Sequence, residues 1–203
     1  VKARGQAMMP PDDTGFDAGT MAAVKGPLED IQREVASFSR ITIANQNSDT
    51  QTVLAGPQEA IDRVEDHLTN KNYKVTQLPV SAAFHTPLVE HASQPFAAAV
   101  AEQTFHEPRL AVFSNTTGEQ YPADIEKAKD ILGNHILNPV IFKDQINNIY
   151  QAGGRIFVEI GPRNVISNLV DEILDGKPHE TVTVNPSPDR SSERQLRKAA
   201  LKM

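Results

Sequence analysis

Thr20-Met21-Ala22-Ala23-Val24-Lys25-Gly26-Pro27 and Gln51-Thr52-Val53-Leu54-Ala55-Gly56-Pro57 are the stretches whose reading decides the fold. Each is a short apolar run that stops at a Gly-Pro pair. Glycine sets the turn, and proline supplies a first helical residue whose φ is already near the helical value. After Pro27, Leu28, Ile31, Val35 and Phe38 recur at helical spacing, which predicts a helix to about Ser37. After Pro57, Ile61, Val64 and Leu68 do the same, with the helix ending at about Leu68. Ile41-Thr42-Ile43-Ala44 reads as a strand and Asn45-Gln46-Asn47-Ser48-Asp49 as a polar turn before the next strand. Tyr73-Lys74-Val75-Thr76-Gln77-Leu78 closes the unit as a strand. The order is β-α-β-β-α-β, the split βαβ arrangement of a ferredoxin-like unit over residues 19–78.

Upstream of this unit, Lys2 to Met9 reads as the end of a helix. No cap residue precedes it, so the chain is expected to start inside a domain. Residues 10–15 are expected to form a loop. Downstream, Pro79 to His85 reads as a strand-like run that ends in a histidine. Helices are then expected from Pro87 to about Gln103, Asp124 to about Leu137, Pro139 to about Gln151 and Val165 to about Leu174. Leu110-Ala111-Val112-Phe113 and Arg155-Ile156-Phe157-Val158-Glu159-Ile160 are the strands expected between them. The second is apolar enough for burial on both faces, as in a parallel sheet. Strands alternating with helices indicate an α/β sheet, too few here to cover those helices, so the rest of that sheet is expected upstream.

Composition excludes several classes. A hydrophobic fraction of 39% with 23% charged residues fits a globular protein with a sizeable core. No apolar stretch approaches the length that spans a bilayer, and the first eleven residues lack the apolar core of a secretory leader. With no cysteine there is no disulfide framework, no thiolate metal site and no cysteine nucleophile, and a cytoplasmic location is expected. A net charge of -6 argues against broad nucleic-acid binding. The tail from Arg190 to Lys202 is nevertheless basic. It reads as a solvated linker helix or as a surface for an acidic partner.

His85, between Phe84 and Pro87, is the leading candidate for chemistry. A histidine at the mouth of a cleft can act as general base because its pKa lies near the working pH, although a lone histidine is more often structural. Arg4 near a helix end can hold a carboxylate through two parallel charge-assisted bonds, or simply be a surface residue. Asn45 and Asn47 alternate along a turn and can meet a ligand or cap the turn itself. His135 stands four residues before Pro139 near a helix end, where its carbonyl is a free acceptor able to orient a second imidazole. His85 and His91 lack the i, i+4 spacing of a helical metal pair, and no cysteine or close carboxylate completes a set, so no metal site is expected. A catalytic histidine needs a nucleophile, yet no Gly-x-Ser-x-Gly turn occurs. Ser81, Ser93 and Ser114 lie outside any strand-turn-helix elbow.

Five landmarks in one order resemble the acyl-CoA:acyl-carrier-protein transacylase family, that is, the malonyltransferases and polyketide-synthase acyltransferase domains. Arg4-Gly5-Gln6-Ala7-Met8 resembles its Arg-Gly-x-x-Met. Asn45-Gln46-Asn47-Ser48, followed by Gln51-Thr52-Val53-Leu54-Ala55-Gly56, resembles its Asn-x-Asn-Ser and Gln-x-Val-x-x-Gly. Val80 to His85 resembles the segment ending at the catalytic histidine. Asn138-Pro139-Val140 and Glu159-Ile160-Gly161-Pro162 resemble later landmarks. Phe16-Asp17-Ala18-Gly19-Thr20-Met21 and Phe113-Ser114-Asn115-Thr116-Thr117-Gly118 are most similar to the acyltransferase domain of polyunsaturated-fatty-acid synthases.

The resemblance implies an α/β fold: a partial hydrolase-like parallel sheet domain, residues 1–18 and 79–185, with the ferredoxin-like (βαββαβ) subdomain of residues 19–78 inserted. Residues 186–203 would be a post-domain linker. It implies an acyltransferase that moves a malonyl or similar short acyl group from CoA to an acyl carrier protein through an acyl-serine. His85 would be the base, with the His135 carbonyl orienting it. Arg4, Met8, Asn45, Asn47 and Phe84 would bind substrate. The implied substrates are malonyl-CoA, a CoA thioester, and a phosphopantetheinyl carrier protein, with no bound cofactor. The implied partners include neighbouring synthase domains. In relatives an aromatic at the position of Phe84 goes with malonyl. Ala82 departs from the histidine that malonyl-specific relatives often carry. The family's nucleophile turn and glutamine loop are expected in an N-terminal acyltransferase segment before Val1, so these residues alone are expected to be inactive. The competing reading is a non-catalytic acyltransferase-like module for carrier-protein docking or scaffolding.

Overall fold

The computed structural model describes residues 2–9, 11 and 15–203, and most of the loop expected over residues 10–15 lies outside them. The described chain forms two compact units, residues 1–142 and 143–203. In the first, α1 (Lys2–Ala7) precedes a four-stranded sheet built from β1 (Thr20–Lys25), β2 (Thr42–Gln46), β3 (Gln51–Gly56) and β4 (Lys74–Gln77). The strand order is β2-β3-β1-β4, every pair antiparallel, with Thr20 opposite Gly56 and Lys25 opposite both Gln51 and Lys74. α2 (Leu28–Val35) and α3 (Gln58–Asn70) complete the ferredoxin-like unit read from the sequence.

Strand side chains alternate between faces, so each face of the sheet makes its own core. Ala22, Val24 and Leu54 are buried against Ile31 and Val35 of α2 and Ile61, Val64 and Leu68 of α3. On the other face Met21, Ala44, Val53 and Ala55 pack with Ala83, and Leu78, Val80, Phe84 and Leu88 cover them. The second face therefore carries the segment that leads into His85. Gly19 lets that segment approach. Its φ is +70°, and a Cβ there would stand 2.6 Å from the Gly56 carbonyl and 2.7 Å from the Ala83 Cβ. The adjacent Ala18 carbonyl accepts the Ala83 N–H at 2.7 Å.

Several local expectations are corrected. Residues 79–86 are irregular rather than a strand. The helix expected from Pro87 to about Gln103 is a 3-10 turn over Pro87–Ala92, non-helical at Val89, followed by α4 (Ser93–Ala101). Leu110 to Phe113 forms no strand. Leu110 and Val112 are exposed, and Phe113 forms an isolated bridge with Gln120. α5 (Ile125–Asn134) is shorter than expected, and the Asp124 side chain caps it by accepting from the N–H groups of Glu126 and Lys127. α6 (Phe142–Gln151) starts later than Pro139 because Val140 joins β2 as a parallel bridge beside Asn45. The Val140 N–H donates to Ala44 O at 2.8 Å, and its carbonyl accepts the Gln46 N–H at 2.8 Å.

In the second unit β5 (Ile156–Pro162) and β6 (Glu180–Asn185) pair in parallel, joined through α7 (Val165–Ile173). β6 was not expected from the sequence. Its Thr-Val-Thr-Val core alternates, but it is short and follows a Gly-Lys-Pro turn. β5 is not buried on both faces, since Ile156, Val158 and Ile160 are exposed. Its Glu159 carboxylate accepts from the N–H groups of Ile166 and Ser167 and from the Ser167 hydroxyl, so it caps α7. The basic tail is more than a solvated spacer. α8 (Ser192–Lys202) buries Gln195 and Ala199. Among the described residues no helix is long and apolar enough to cross a membrane.

Candidate active site

The site forms in the first unit where three segments meet: α1, the irregular run 79–86 and the turn that follows α5. Pro139 explains the turn. His135 O would accept the N–H four residues on, but that residue is proline and has none, so the carbonyl is left for another donor. His85 supplies the donor. Its Nδ1 lies 3.1 Å from His135 O and 3.0 Å from Asn138 O. Both partners are carbonyls, which only accept, so Nδ1 carries the proton and the neutral ring presents Nε2 as its basic lone pair. The His85 main-chain N–H also donates to the same turn, to Ile136 O at 3.0 Å.

This grip holds His85 in an unusual backbone state. Its φ is +63°, in the left-handed region that side chains other than glycine's rarely adopt. Such a residue costs on the order of 1–3 kcal/mol and persists only where its surroundings over-determine it. Here they do. Thr86 Oγ1 donates to Ala83 O at 2.7 Å and accepts the Leu88 N–H at 3.2 Å, closing the next turn on the buried Thr86.

Arg4 projects from α1 into this neighbourhood, and burial lowers its pKa from the ordinary arginine value. Burial likewise pushes the His85 pKa below that of a free histidine. The nearby Arg4 charge acts in the same direction, while the two carbonyl bonds oppose both. His135 is lowered further, to about 4, by burial first, then by Arg4 and His85. Its ring meets that of His85 edge-on, with centroids 5.6 Å apart, and its Nδ1 is buried without a hydrogen-bond partner among the described residues. Two neutral imidazoles beside one guanidinium thus form a centre able to accept a proton at Nε2 of His85 and to hold an anion at Arg4.

The remaining expected residues divide. Met8 packs with Ala92, Phe96, Val100 and Ile136, next to His135. Asn45 lies on the strand edge that bridges Val140. Phe84 is partly buried on the sheet face formed by Met21, Ala44, Val53 and Ala55. Asn47 Nδ2 donates to Gln51 Oε1 at 2.9 Å across the hairpin. Sequence reasoning assigned Asn138 no role, although its carbonyl is the nearer of the two at His85. The signal was present in the helix end and Pro139, which free more than one carbonyl. Among the described residues no group of three or more His, Cys, Asp or Glu is placed to hold a metal ion.

A family model described as the acyl transferase domain matches residues 2–202. A polyunsaturated fatty acid synthase polypeptide of Thraustochytrium sp. is 38% identical over 203 residues, 98% of this chain and 7% of that protein. The acyltransferase domain from the second module of the salinomycin polyketide synthase superposes with a TM-score of 0.82 at 30% identity, covering 97% of this chain and 45% of the other. The malonyl CoA-acyl carrier protein transacylase of Clostridium perfringens superposes with a TM-score of 0.83 at 26% identity, covering 99% and 61%. The chain thus spans a small part of the synthase relative and roughly half of these solved structures. With the family model running from α1 to the end of α8, through every segment that builds the histidine centre, this chain belongs to the acyl transferase domain family.

Proposed function

We propose that these residues supply the base and the carboxylate-binding group of a transferase that moves malonyl, or a similar short acyl group, from CoA to an acyl carrier protein. The observation that carries the reading is the His85 ring, whose Nδ1–H is held by two carbonyls so that Nε2 is free to accept a proton. A serine from outside the 203 residues gives its proton to Nε2 as its oxygen attacks the thioester carbonyl. The tetrahedral oxyanion is met by backbone amides, worth roughly 3 kcal/mol per donor. As it collapses, the C–S bond breaks and His85 returns the proton to the CoA sulfur. In the second half His85 takes the proton of the phosphopantetheine thiol, the sulfur attacks the acyl-serine, and the serine oxygen recovers the proton. The carbonyls of His135 and Asn138 stabilise the imidazolium in both halves, the part a carboxylate plays in a Ser-His-Asp arrangement. No bound cofactor is needed.

Arg4 clamps the free malonyl carboxylate. Phe84 crowds an α-methyl branch, a discrimination of ~1–3 kcal/mol. Met8, Asn45 and Asn47 border the acyl group and its approach. Residues 1–18 and 79–185 belong to the acyltransferase core, residues 19–78 to its ferredoxin-like subdomain, and residues 186–203 lead towards neighbouring synthase domains in the cytoplasm. These residues by themselves are inactive for want of the serine.

The test uses the whole acyltransferase domain incubated with malonyl-CoA. One malonyl adduct on a serine outside these residues is expected, with transfer slowed on the order of 10³-fold by His85→Ala. Arg4→Ala should let uncharged acyl groups compete. Absence of an adduct, or unchanged transfer in His85→Ala, overturns the proposal.

A further inference from the structure

The catalytic reading uses His135 through its carbonyl alone. Its side chain is a second ring at the centre, placed by contacts of its own. His135 caps the C-terminal end of α5. Its ring meets that of His85 edge-on, with centroids 5.6 Å apart and planes at 69°. It also meets Phe96 of α4, with centroids 6.2 Å apart and planes at 59°. Phe96 is itself fixed, buried with Ala92, Val100 and Ile136. The Leu132 carbonyl, three residues back on α5, is the acceptor that faces the ring from its own helix. One aromatic ring thus touches both a packed core and the base.

The carbonyl grip on His85 leaves such a ring something to do. The Nδ1–H of His85 is shared between His135 O at 3.1 Å and Asn138 O at 3.0 Å. Two acceptors at nearly equal distance fix the tautomer, but the proton can lean towards either, and the ring tilts with it. Asn138 is anchored in turn, its Nδ2 donating to Asn134 O at 2.7 Å, so the freedom that remains is the ring's. A tilt about Nδ1 swings Nε2, on the far side of the ring, sideways. Misplacement by ~1 Å can cost on the order of 10²-fold in rate. The neighbour that opposes the tilt must also be uncharged, because a cation there would resist the imidazolium that forms at His85. Arg4 of α1 and His85 are the titratable groups that act on His135, and α4 presents the neutral Phe96. Burial first, then Arg4 and His85, lower the His135 pKa to about 4, so its ring is neutral where His85 works.

We infer that the His135 imidazole is a positioning residue for His85: braced on Phe96, its ring fixes the tilt at which Nε2 meets a proton, a role that rests on the function proposed above.

The test compares His135→Ala, which removes the ring and keeps the carbonyl, with His135→Phe, which keeps an aromatic edge that cannot titrate. Malonyl transfer by the whole acyltransferase domain is followed against pH. His135→Ala should lower kcat on the order of tenfold and leave KM for malonyl-CoA unchanged, because Arg4 still meets the carboxylate. The acidic limb of kcat/KM should also move to higher pH, since burial is the largest influence holding the His85 pKa down and loss of the ring admits water. His135→Phe should restore most of kcat and return the limb to its wild-type place. His135→Leu fills the volume without a flat edge. It replaces His135→Ala where that variant does not fold, and should act in the same direction. Wild-type kcat and limb in His135→Ala, or His135→Phe as slow as His135→Ala, overturn the inference. The ring-nitrogen NMR resonances of His85 give the same comparison without turnover. Its titration midpoint should rise in His135→Ala and not in His135→Phe, and one midpoint shared by all three proteins overturns the positioning role. A wild-type domain that takes up no malonyl group sinks the proposed function, and the midpoints then decide the role of His135 by themselves.

Discussion

The four-stranded sheet of the first unit and the parallel pair of the second spend similar apolar sequence in different ways. In the first, each face of the sheet has a cover. α2 and α3 seal one side, the run into His85 seals the other, and Leu54 and Ala55 on neighbouring positions of β3 are both fully buried. In the second, the face of β5 that carries Phe157 and Glu159 is the one in use, and Glu159 caps α7. Ile156, Val158 and Ile160 on the opposite face are 58%, 38% and 86% exposed. A strand's composition therefore states which faces are fit to be buried, and packing decides which of them are. Exposed apolar patches of this kind mark surfaces built for contact.

The largest effect that would test this contrast is a truncation in the sealed core. Ile61→Ala removes a fully buried side chain between α3 and the sheet, and should cost about 3 kcal/mol in urea unfolding. A cost under about 1 kcal/mol would mean that the first core is not close-packed. The next effect is a response to acid confined to the first unit. His135 has a folded pKa of about 4 against an unfolded value near 6.5, so the unfolded chain binds the proton more readily. Its contribution to stability is whole above about pH 6.5 and is lost as pH falls towards 4. Hydrogen exchange should therefore quicken in residues 125–142 over that window more than in residues 156–185, and His135→Gln should flatten the response. Equal acid sensitivity in the two segments would break the distinction. The smallest effect belongs to the open face of β5, where Val158→Ala should change stability by less than about 0.5 kcal/mol. A loss comparable to that of Ile61→Ala would show that this face is packed in the intact protein.

Much of the first unit was legible because its signals are local and agree with one another. Both Gly-Pro pairs, both helical stripes and all four strands of residues 19–78 lie where periodicity put them, and the ends differ by a few residues. The site was legible in part for a similar reason, since a histidine four residues before a proline announces a free carbonyl. Legibility failed where an element depends on a remote partner. Leu110 to Phe113 has strand composition but no neighbour among the described residues to complete a ladder. Val140 has helical surroundings but is drawn to the edge of β2 instead. Asn138 sits at a helix end that the sequence marks, but the donor its carbonyl meets is set only once His85 arrives from 53 residues away.

The sequence by itself determined the element order, the ferredoxin-like unit, the family and the choice of His85 and Arg4 as the residues to follow. Those follow from backbone preferences and side-chain periods, which act over a few residues. Tertiary structure decided which nitrogen of His85 carries the proton, that Asn47 pairs with Gln51 within its hairpin, that His135 stays neutral, which face of β5 is covered, and which cations of the tail are ion-paired among the described residues. Each of these depends on burial or on a hydrogen-bond partner distant in the chain, and neither exists until the segments have packed.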